Sequence, residues 1–189
     1  AAILALESPT STLQHRDFSM TNMVSAAIFG DGVACAILGP SDREEAPALR
    51  DSQMYHFFHE THMMGFQLRN TGLQMVLDVE VPQKIEKHLD SILEPFLARN
   101  GLDLEKVQHY IFHPGGKKIV QMVETMLEPY GRHIRPTLEV LRDYGNMSSA
   151  TVLYVLQEYL EKQPVKKGDY GLMLSFGPGF SAQNLLLQW

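Results

Sequence analysis

Short apolar runs alternate along the chain with segments in which apolar residues recur at every third or fourth position. The runs predict buried strands, which cover residues 3–6, 33–38, 73–77, 109–112, 170–176 and 180–187. The helical spacing predicts helices over residues 21–29, 81–99, 117–127, 137–144 and 147–160. Because strands and helices alternate and the last two strands form a hairpin, we predict one α/β domain over residues 1–189, with a mixed sheet covered by helices.

Residues 49–62 are predicted to form one long strand, followed by a loop between Gly65 and Gly72. The strand carries His56, His59 and His62, and a spacing of three suits metal ligands on a helix. On a strand, however, alternation places His59 on the face opposite the other two. We therefore predict ordinary polar strand positions here and no metal site.

The charge balance and the lone cysteine exclude several classes of protein. The 189 residues carry a formal charge of −6, which argues against general nucleic-acid binding, and no apolar run is long enough to span a membrane. Cys35 lies in an apolar run, so we expect a buried and inert thiol, no internal disulfide and a reducing compartment. The chain starts directly in an apolar strand, which favours a piece of a longer protein over a naturally trimmed N-terminus.

His113 follows a predicted buried strand and precedes Pro114-Gly115-Gly116. Ligand sites of α/β sheets gather at strand ends, and the two glycines leave room for a sharp turn or for a ligand. A turn with an incidental histidine explains the same pattern. The residues alone leave both interpretations open.

Asn146 lies in Gly145-Asn146-Met147-Ser148-Ser149, at the start of a predicted helix. It suits the N-cap of that helix, and it also suits a donor to a developing oxyanion, since an asparagine amide and a neutral histidine can together polarise a thioester carbonyl. Residues 177–179, Gly-Pro-Gly, form either a plain hairpin turn or a loop that shapes a cavity wall. The pattern offers no activated nucleophile.

Four motifs, taken in order, resemble the type III polyketide synthases, the chalcone and stilbene synthase-like enzymes of the thiolase superfamily. The similarity extends over nearly the whole chain, but only to the C-terminal half of that family. Gly116-Lys117-Lys118-Ile119 and Ser175 are closer to bacterial members than to plant ones. The four motifs are Phe29-Gly30-Asp31-Gly32, His113-Pro114-Gly115-Gly116, Gly145-Asn146-Met147-Ser148-Ser149 and Gly177-Pro178-Gly179.

The resemblance implies a decarboxylative condensation of malonyl-CoA with an acyl-CoA starter. His113 and Asn146 match the histidine and asparagine that act on the thioesters, while the nucleophilic cysteine belongs to the other half of the enzyme. Phe29 matches one gatekeeper of the pocket. Met75 stands near the second gatekeeper position, where the family has phenylalanine, so a flexible side chain there suits a fatty acyl starter.

The resemblance also assigns the pocket and the partners. Ser148 matches a small pocket-lining position, and Gly177, Pro178 and Gly179 match the loop that shapes the pocket. It implies CoA thioesters as substrates, no metal and no prosthetic group, the protein's own N-terminal domain as a partner, a homodimer and a cytoplasmic location. Two alternatives stay open: a ketoacyl-carrier-protein synthase III-like condensing enzyme, and a non-catalytic thiolase-fold module that binds or dimerises.

Overall fold

The computed structural model describes residues 1–40 and 46–189, which contain the predicted alternation of strands and helices. The strands are β1 (Ala2–Glu7), β2 (Gly32–Ile37), β3 (Ala48–His56), β4 (Met64–Arg69), β5 (Gly72–Leu77), β6 (His109–Phe112), β7 (Tyr170–Gly177) and β8 (Ser181–Gln188). The helices are α1 (Met20–Ile28), α2 (Val81–Arg99), α3 (Lys117–Leu127), α4 (Arg135–Tyr144) and α5 (Ser149–Lys162). None of these helices is long and apolar enough to cross a membrane.

The main sheet has four strands in the order β3-β8-β7-β6. Strands β6 and β7 are parallel, whereas β8 is antiparallel to both β7 and β3, so the sheet is mixed, as predicted. Neighbouring side chains of a strand point to opposite faces. Leu172 and Leu174 pack in one core with α2 and α3, while Ile111 and Met173 pack in a second core with α4 and α5. The predicted α/β class, with helices on both faces of the sheet, is confirmed.

Helix α2 shows why the helical prediction succeeds. Pro82 stands in its first turn, where a missing N–H costs nothing, and the chain leaves the helix at Asn100-Gly101. Its apolar residues form a stripe that is fully or almost fully buried against the sheet. The stripe consists of Ile85, Leu89, Ile92, Leu93, Phe96 and Leu97.

A second hairpin, β4–β5, occupies the region where the sequence predicted a loop between Gly65 and Gly72. Met64 pairs with Leu77, and Arg69 pairs with Gly72 across the turn. The loop prediction is wrong, although β4 reads MGFQLR, in which apolar residues occupy every second position as in a strand. The two glycines were given more weight than this alternation, and the apolar side chains of Phe66 and Leu68 remain exposed in the structure. The predicted long strand over 49–62 is also too long. It ends at His56, because His59 adopts a φ of +68°, which a strand cannot contain.

The antiparallel pair β1–β2 exposes one side that the sequence predicted to be buried. The side chains of Ala2, Leu4, Leu6, Val33, Cys35 and Ile37 share this side, which we call the β1–β2 apolar face. Leu6 and Ile37 are 75% and 79% exposed. Cys35 is exposed as well, so the expectation of a buried thiol is wrong. A continuous apolar run is compatible with a strand that is buried on both faces and with one that is buried on a single face, so the sequence alone does not separate the two cases.

Candidate active site

His113 continues directly from β6 into the turn that leads to α3. Its backbone N–H donates to Leu174 O at 2.9 Å, which extends the parallel pairing with β7 by one residue. The side chain is buried, and this burial lowers the pKa of the imidazole from the ordinary 6.5 to about 4. Near neutral pH His113 is therefore uncharged, with one ring nitrogen that donates and one that accepts.

The turn after His113 leaves little room for a side chain at its first glycine. A side chain at Gly115 would begin 3.0 Å from the Ile119 side chain in the first turn of α3. The carbonyl of Phe112, just before His113, accepts a hydrogen bond from the buried Thr137 hydroxyl of α4 at 3.0 Å. Helices on both sides of β6 thus hold the histidine at the carboxyl end of the strand, where sites of α/β proteins gather.

Asn146 reaches the same end of the sheet from the α4–α5 connection. Its side chain is 3% exposed, and its Nδ2 donates to Gly115 O at 3.4 Å. The Oδ1 atom accepts the backbone N–H of Ser148 at 2.9 Å and the Thr151 hydroxyl at 3.5 Å. The structure therefore brings the His113 turn and Asn146 together, although 33 positions separate them in the sequence.

Asn146 does not cap the following helix, which corrects one of the two interpretations drawn from the sequence. Helix α5 begins at Ser149, and Ser148 occupies its N-cap without a capping side-chain hydrogen bond. Ser148 has a φ of +53°, which is rare for a residue with a side chain and costs on the order of 1–3 kcal/mol. This turn directs the Ser148 N–H onto the Asn146 amide and leaves the Ser148 side chain half-buried.

A backbone bridge fixes Phe29 beside Asn146. Asn146 N–H donates to Ile28 O at 2.8 Å, and Gly30 N–H donates to Asn146 O at 3.0 Å, so Phe29 and Asn146 form an isolated parallel bridge. The bridge requires a glycine at 145, because that residue has a φ of +72° and a Cβ there would lie 2.9 Å from Ile28 O. The first and third sequence motifs are therefore physically joined.

Met75 lies in β5, against the helix that ends at Phe29. The Ser25 hydroxyl of α1 donates to the Met75 sulfur at 3.1 Å, and Ser25 is one turn before Phe29. Met75 also lines a cleft of about 390 Å³ between α1 and β5. The two predicted gatekeeper positions thus belong to neighbouring elements.

The loop Gly177–Gly179 leaves β7 at the same end of the sheet at which His113 leaves β6, because these strands run parallel. Gly179 N–H donates to Met64 O at 3.0 Å, and Phe57 N–H donates to Phe180 O at 3.0 Å. The rings of Phe57 and Phe180 stack with centroids 3.9 Å apart. The loop is therefore attached to the start of the hairpin that carries Met75, and not directly to Asn146.

Glu7 is a residue of this region that the sequence did not indicate. It ends β1, and its carboxylate accepts hydrogen bonds from the backbone N–H and the hydroxyl of Ser149. A negative charge is favourable at the N-terminus of a helix such as α5. Because 142 positions separate Glu7 from Ser149, no periodic pattern in the sequence indicates this contact. The hydrogen bond from Thr151 to Asn146 was also missed, since Thr151 occupies what looks in the sequence like an ordinary helix position.

The histidines of the 49–62 segment are not brought together as a metal site. Within residues 1–40 and 46–189, no group of three histidine, cysteine, aspartate or glutamate side chains is placed to hold a metal ion. His56 ends β3, and His62 lies in the short 3₁₀ turn before β4.

Comparison with solved structures defines the class of fold. A 1,3,6,8-tetrahydroxynaphthalene synthase from Streptomyces coelicolor A3(2), described as a bacterial type III polyketide synthase, superposes with a TM-score of 0.90 at 28% identity, over 100% of this chain and 53% of that one. The type III polyketide synthase domain of Steely1 from Dictyostelium gives 0.85 at 25% identity, over 99% and 53%. The fold is the thiolase-like fold of type III polyketide synthases.

Residues 51–189 match the family of chalcone and stilbene synthases, C-terminal domain. The chain belongs to this family, which confirms the resemblance seen in the sequence motifs. It is 30% identical to a putative chalcone synthase of Bacillus subtilis, over 99% of this chain and 53% of that protein. It is 34% identical to a 1,3,6,8-tetrahydroxynaphthalene synthase of Streptomyces peucetius, over 100% and 51%. The chain thus spans about half the length of the curated relatives it matches.

Proposed function

We propose that this chain forms the His-Asn half of an acyltransferase that condenses malonyl-CoA with an acyl-CoA starter and releases carbon dioxide. The observation that carries the proposal is the pairing of a neutral, buried His113 with the Asn146 amide, which is hydrogen-bonded at Gly115, two residues beyond the histidine. Both groups can donate to the thioester oxygen of malonyl-CoA, so the negative charge that develops on decarboxylation is stabilised without a metal or a prosthetic group. The resulting carbanion equivalent attacks the carbonyl carbon of the acyl group held as a thioester on the cysteine of the other half. A carbon–carbon bond forms, the carbon–sulfur bond breaks, and the cysteine leaves as a thiolate.

The test compares His113→Gln and Asn146→Ala with the unmodified, complete protein. We expect both substitutions to abolish the release of carbon dioxide from malonyl-CoA. His133→Gln is the matched control, because this histidine is exposed on the α3–α4 connection. Normal decarboxylation by both variants would refute the assigned roles. A requirement for malonyl-carrier protein in place of malonyl-CoA would point to the ketoacyl synthase III-like alternative.

The nucleophilic cysteine is proposed to come from the protein's own N-terminal domain. The β1–β2 apolar face supports this proposal, because monomeric proteins rarely leave such a contiguous apolar sheet surface in water. Strand β1 also pairs with β2 alone among the described strands, so its outer edge is open to a further strand. We expect residues 1–189 alone to show no condensing activity, whereas the complete protein is active. Polyketide formation by the isolated chain would contradict the proposal.

The pocket is proposed to lie between Phe29, Met75, Ser148 and the Gly177-Pro178-Gly179 loop. Phe29 is bridged to Asn146, and Met75 accepts a hydrogen bond from α1, so the same backbone elements hold the proposed entrance and the proposed catalytic pair.

We further propose a cytoplasmic homodimer of the complete protein. Light scattering on the purified protein tests the dimer, and a monomer that retains full activity would contradict it.

A further inference from the structure

Thr151 lies in the first turn of α5 with its side chain fully buried. Among the residues that the structure describes, its hydroxyl has one hydrogen-bond partner, the Asn146 side-chain oxygen, at 3.5 Å. A buried hydroxyl without any partner costs free energy, so this contact satisfies the threonine as well as the asparagine. The backbone N–H of Thr151 donates to Ser148 O at 3.1 Å, which closes the turn that presents the Ser148 N–H to Asn146.

The Ser148 N–H selects which way the Asn146 amide faces, and the Thr151 hydroxyl adds a second, longer hydrogen bond to the same oxygen. Oδ1 receives the Ser148 N–H and the Thr151 hydroxyl, so the NH₂ group points away from α5 and donates to Gly115 O in the turn that follows His113. A rotation of the amide by 180° would place the NH₂ group against the Ser148 N–H, which has no lone pair to accept a hydrogen bond.

We propose that Thr151 is a positioning residue that holds the Asn146 amide with its NH₂ group toward the His113 turn. This proposal rests on the proposed function, in which that NH₂ group donates to the thioester oxygen of malonyl-CoA. Thr151 itself does not contact the reacting atoms. Its effect is therefore confined to the step that uses Asn146.

Thr151→Val removes the hydroxyl and keeps the shape of the side chain, whereas Thr151→Ser keeps the hydroxyl. We expect Thr151→Val to lower the kcat of malonyl-CoA decarboxylation about three-fold, toward the lower end of the range for one neutral hydrogen bond because the 3.5 Å contact is long, with KM unchanged. We expect Thr151→Ser to recover most of the rate. Starter loading, measured as CoA release from acyl-CoA without malonyl-CoA, should be the same in all of these variants.

The experiment uses the complete protein and reports the ratio of decarboxylation to starter loading in each preparation, which is independent of the folded fraction. Thr125→Val is the matched control, because the Thr125 hydroxyl only donates to Gln121 O along the exposed side of α3. A Thr151→Val ratio equal to that of the unmodified protein overturns the proposal, and so does an equal loss in both steps. If the unmodified protein loads starter but releases no carbon dioxide, the proposed function fails and this role fails with it.

Discussion

Phe57 and Phe180 stack face to face, with ring planes 8° from parallel, and their backbones are joined by the hydrogen bond from Phe57 N–H to Phe180 O. Phe180 directly follows the Gly177–Gly179 loop and has a φ of +46°. The stack therefore compensates for an unfavourable backbone conformation and fixes the exit of the loop. Since Met64 holds Gly179 from the other side, the loop and the β4–β5 hairpin form one unit.

Phe180→Ala should lower the free energy of unfolding by about 3–5 kcal/mol, because it removes a fully buried ring and leaves a cavity. Urea unfolding of the complete protein measures this loss. Phe58→Ala is the control, since that neighbouring ring is 79% exposed and its removal should change the stability by less than about 0.5 kcal/mol. Equal losses for the two variants would show that the stack does not stabilise the loop.

His113 should titrate with a midpoint near pH 4, well below the ordinary 6.5, because its burial disfavours the charged ring. Below pH 6.5 the unfolded chain binds a proton that the folded chain does not, so this contribution to stability is complete above pH 6.5 and declines as the pH falls toward 4. NMR of the histidine rings measures the midpoint, and the resonance is identified by its loss in His113→Gln. A midpoint near 6.5 would mean that the ring is solvated in the complete protein.

Met75→Phe should narrow the cleft between β5 and α1, where the substrate entrance is proposed. A rigid aromatic ring cannot adapt to a long acyl chain as a methionine can, so we expect kcat/KM for a long-chain acyl-CoA to fall about ten-fold relative to 4-coumaroyl-CoA. Met23→Phe is the control, because Met23 lies on α1 but is 56% exposed. A preference of the unmodified enzyme for the aromatic starter would refute the proposal that it takes fatty acyl chains.

Cys35 provides a direct probe of the β1–β2 apolar face. The thiol is exposed in the structure of residues 1–189, and we expect it to react readily with a maleimide in that chain. In the complete protein the N-terminal domain should cover this face, so the labelling should become at least ten-fold slower. Peptide mapping identifies the modified cysteine, and Cys35→Ser confirms the assignment. Equal labelling rates of Cys35 in the two proteins would contradict the proposal that the N-terminal domain covers the β1–β2 apolar face.

The predictions from the sequence were most accurate for elements whose own apolar spacing identifies them. Helix α3 spans Lys117–Leu127, as its apolar spacing indicated, and β6 spans His109–Phe112, as its continuous apolar run indicated. Strand β4 was missed although its apolar residues alternate, because the segment is short and glycines at positions 65 and 72 favoured a loop. The exposure of β1 and β2 could not be predicted either, because an apolar side chain indicates a surface to be buried without indicating what buries it.

The sequence indicated which residues belong to the candidate site, but it did not indicate how they are placed relative to one another. The motifs indicated His113 and Asn146, yet the hydrogen bond from Asn146 to Gly115 depends on how β6 and the α4–α5 connection meet across the fold. Cap preferences allowed Asn146 to be the N-cap of α5, but Ser148 occupies that position and the Asn146 side chain accepts the Ser148 N–H. The contributions of Thr151 and Glu7 arise only from tertiary packing.

The bridge between Phe29 and Asn146 has a consequence for how such an enzyme can acquire new substrates. The bridge is made by main-chain atoms alone, so exchanging the Phe29 or Met75 side chain would reshape the proposed entrance without moving the Asn146 amide. A substitution at Gly30 or Gly145 would instead place a Cβ atom 2.9 Å from a main-chain oxygen and force the bridge itself to shift. Under the proposed function, selectivity for the incoming acyl group can therefore change by side-chain exchange over generations, while the pair proposed to remove carbon dioxide stays in place.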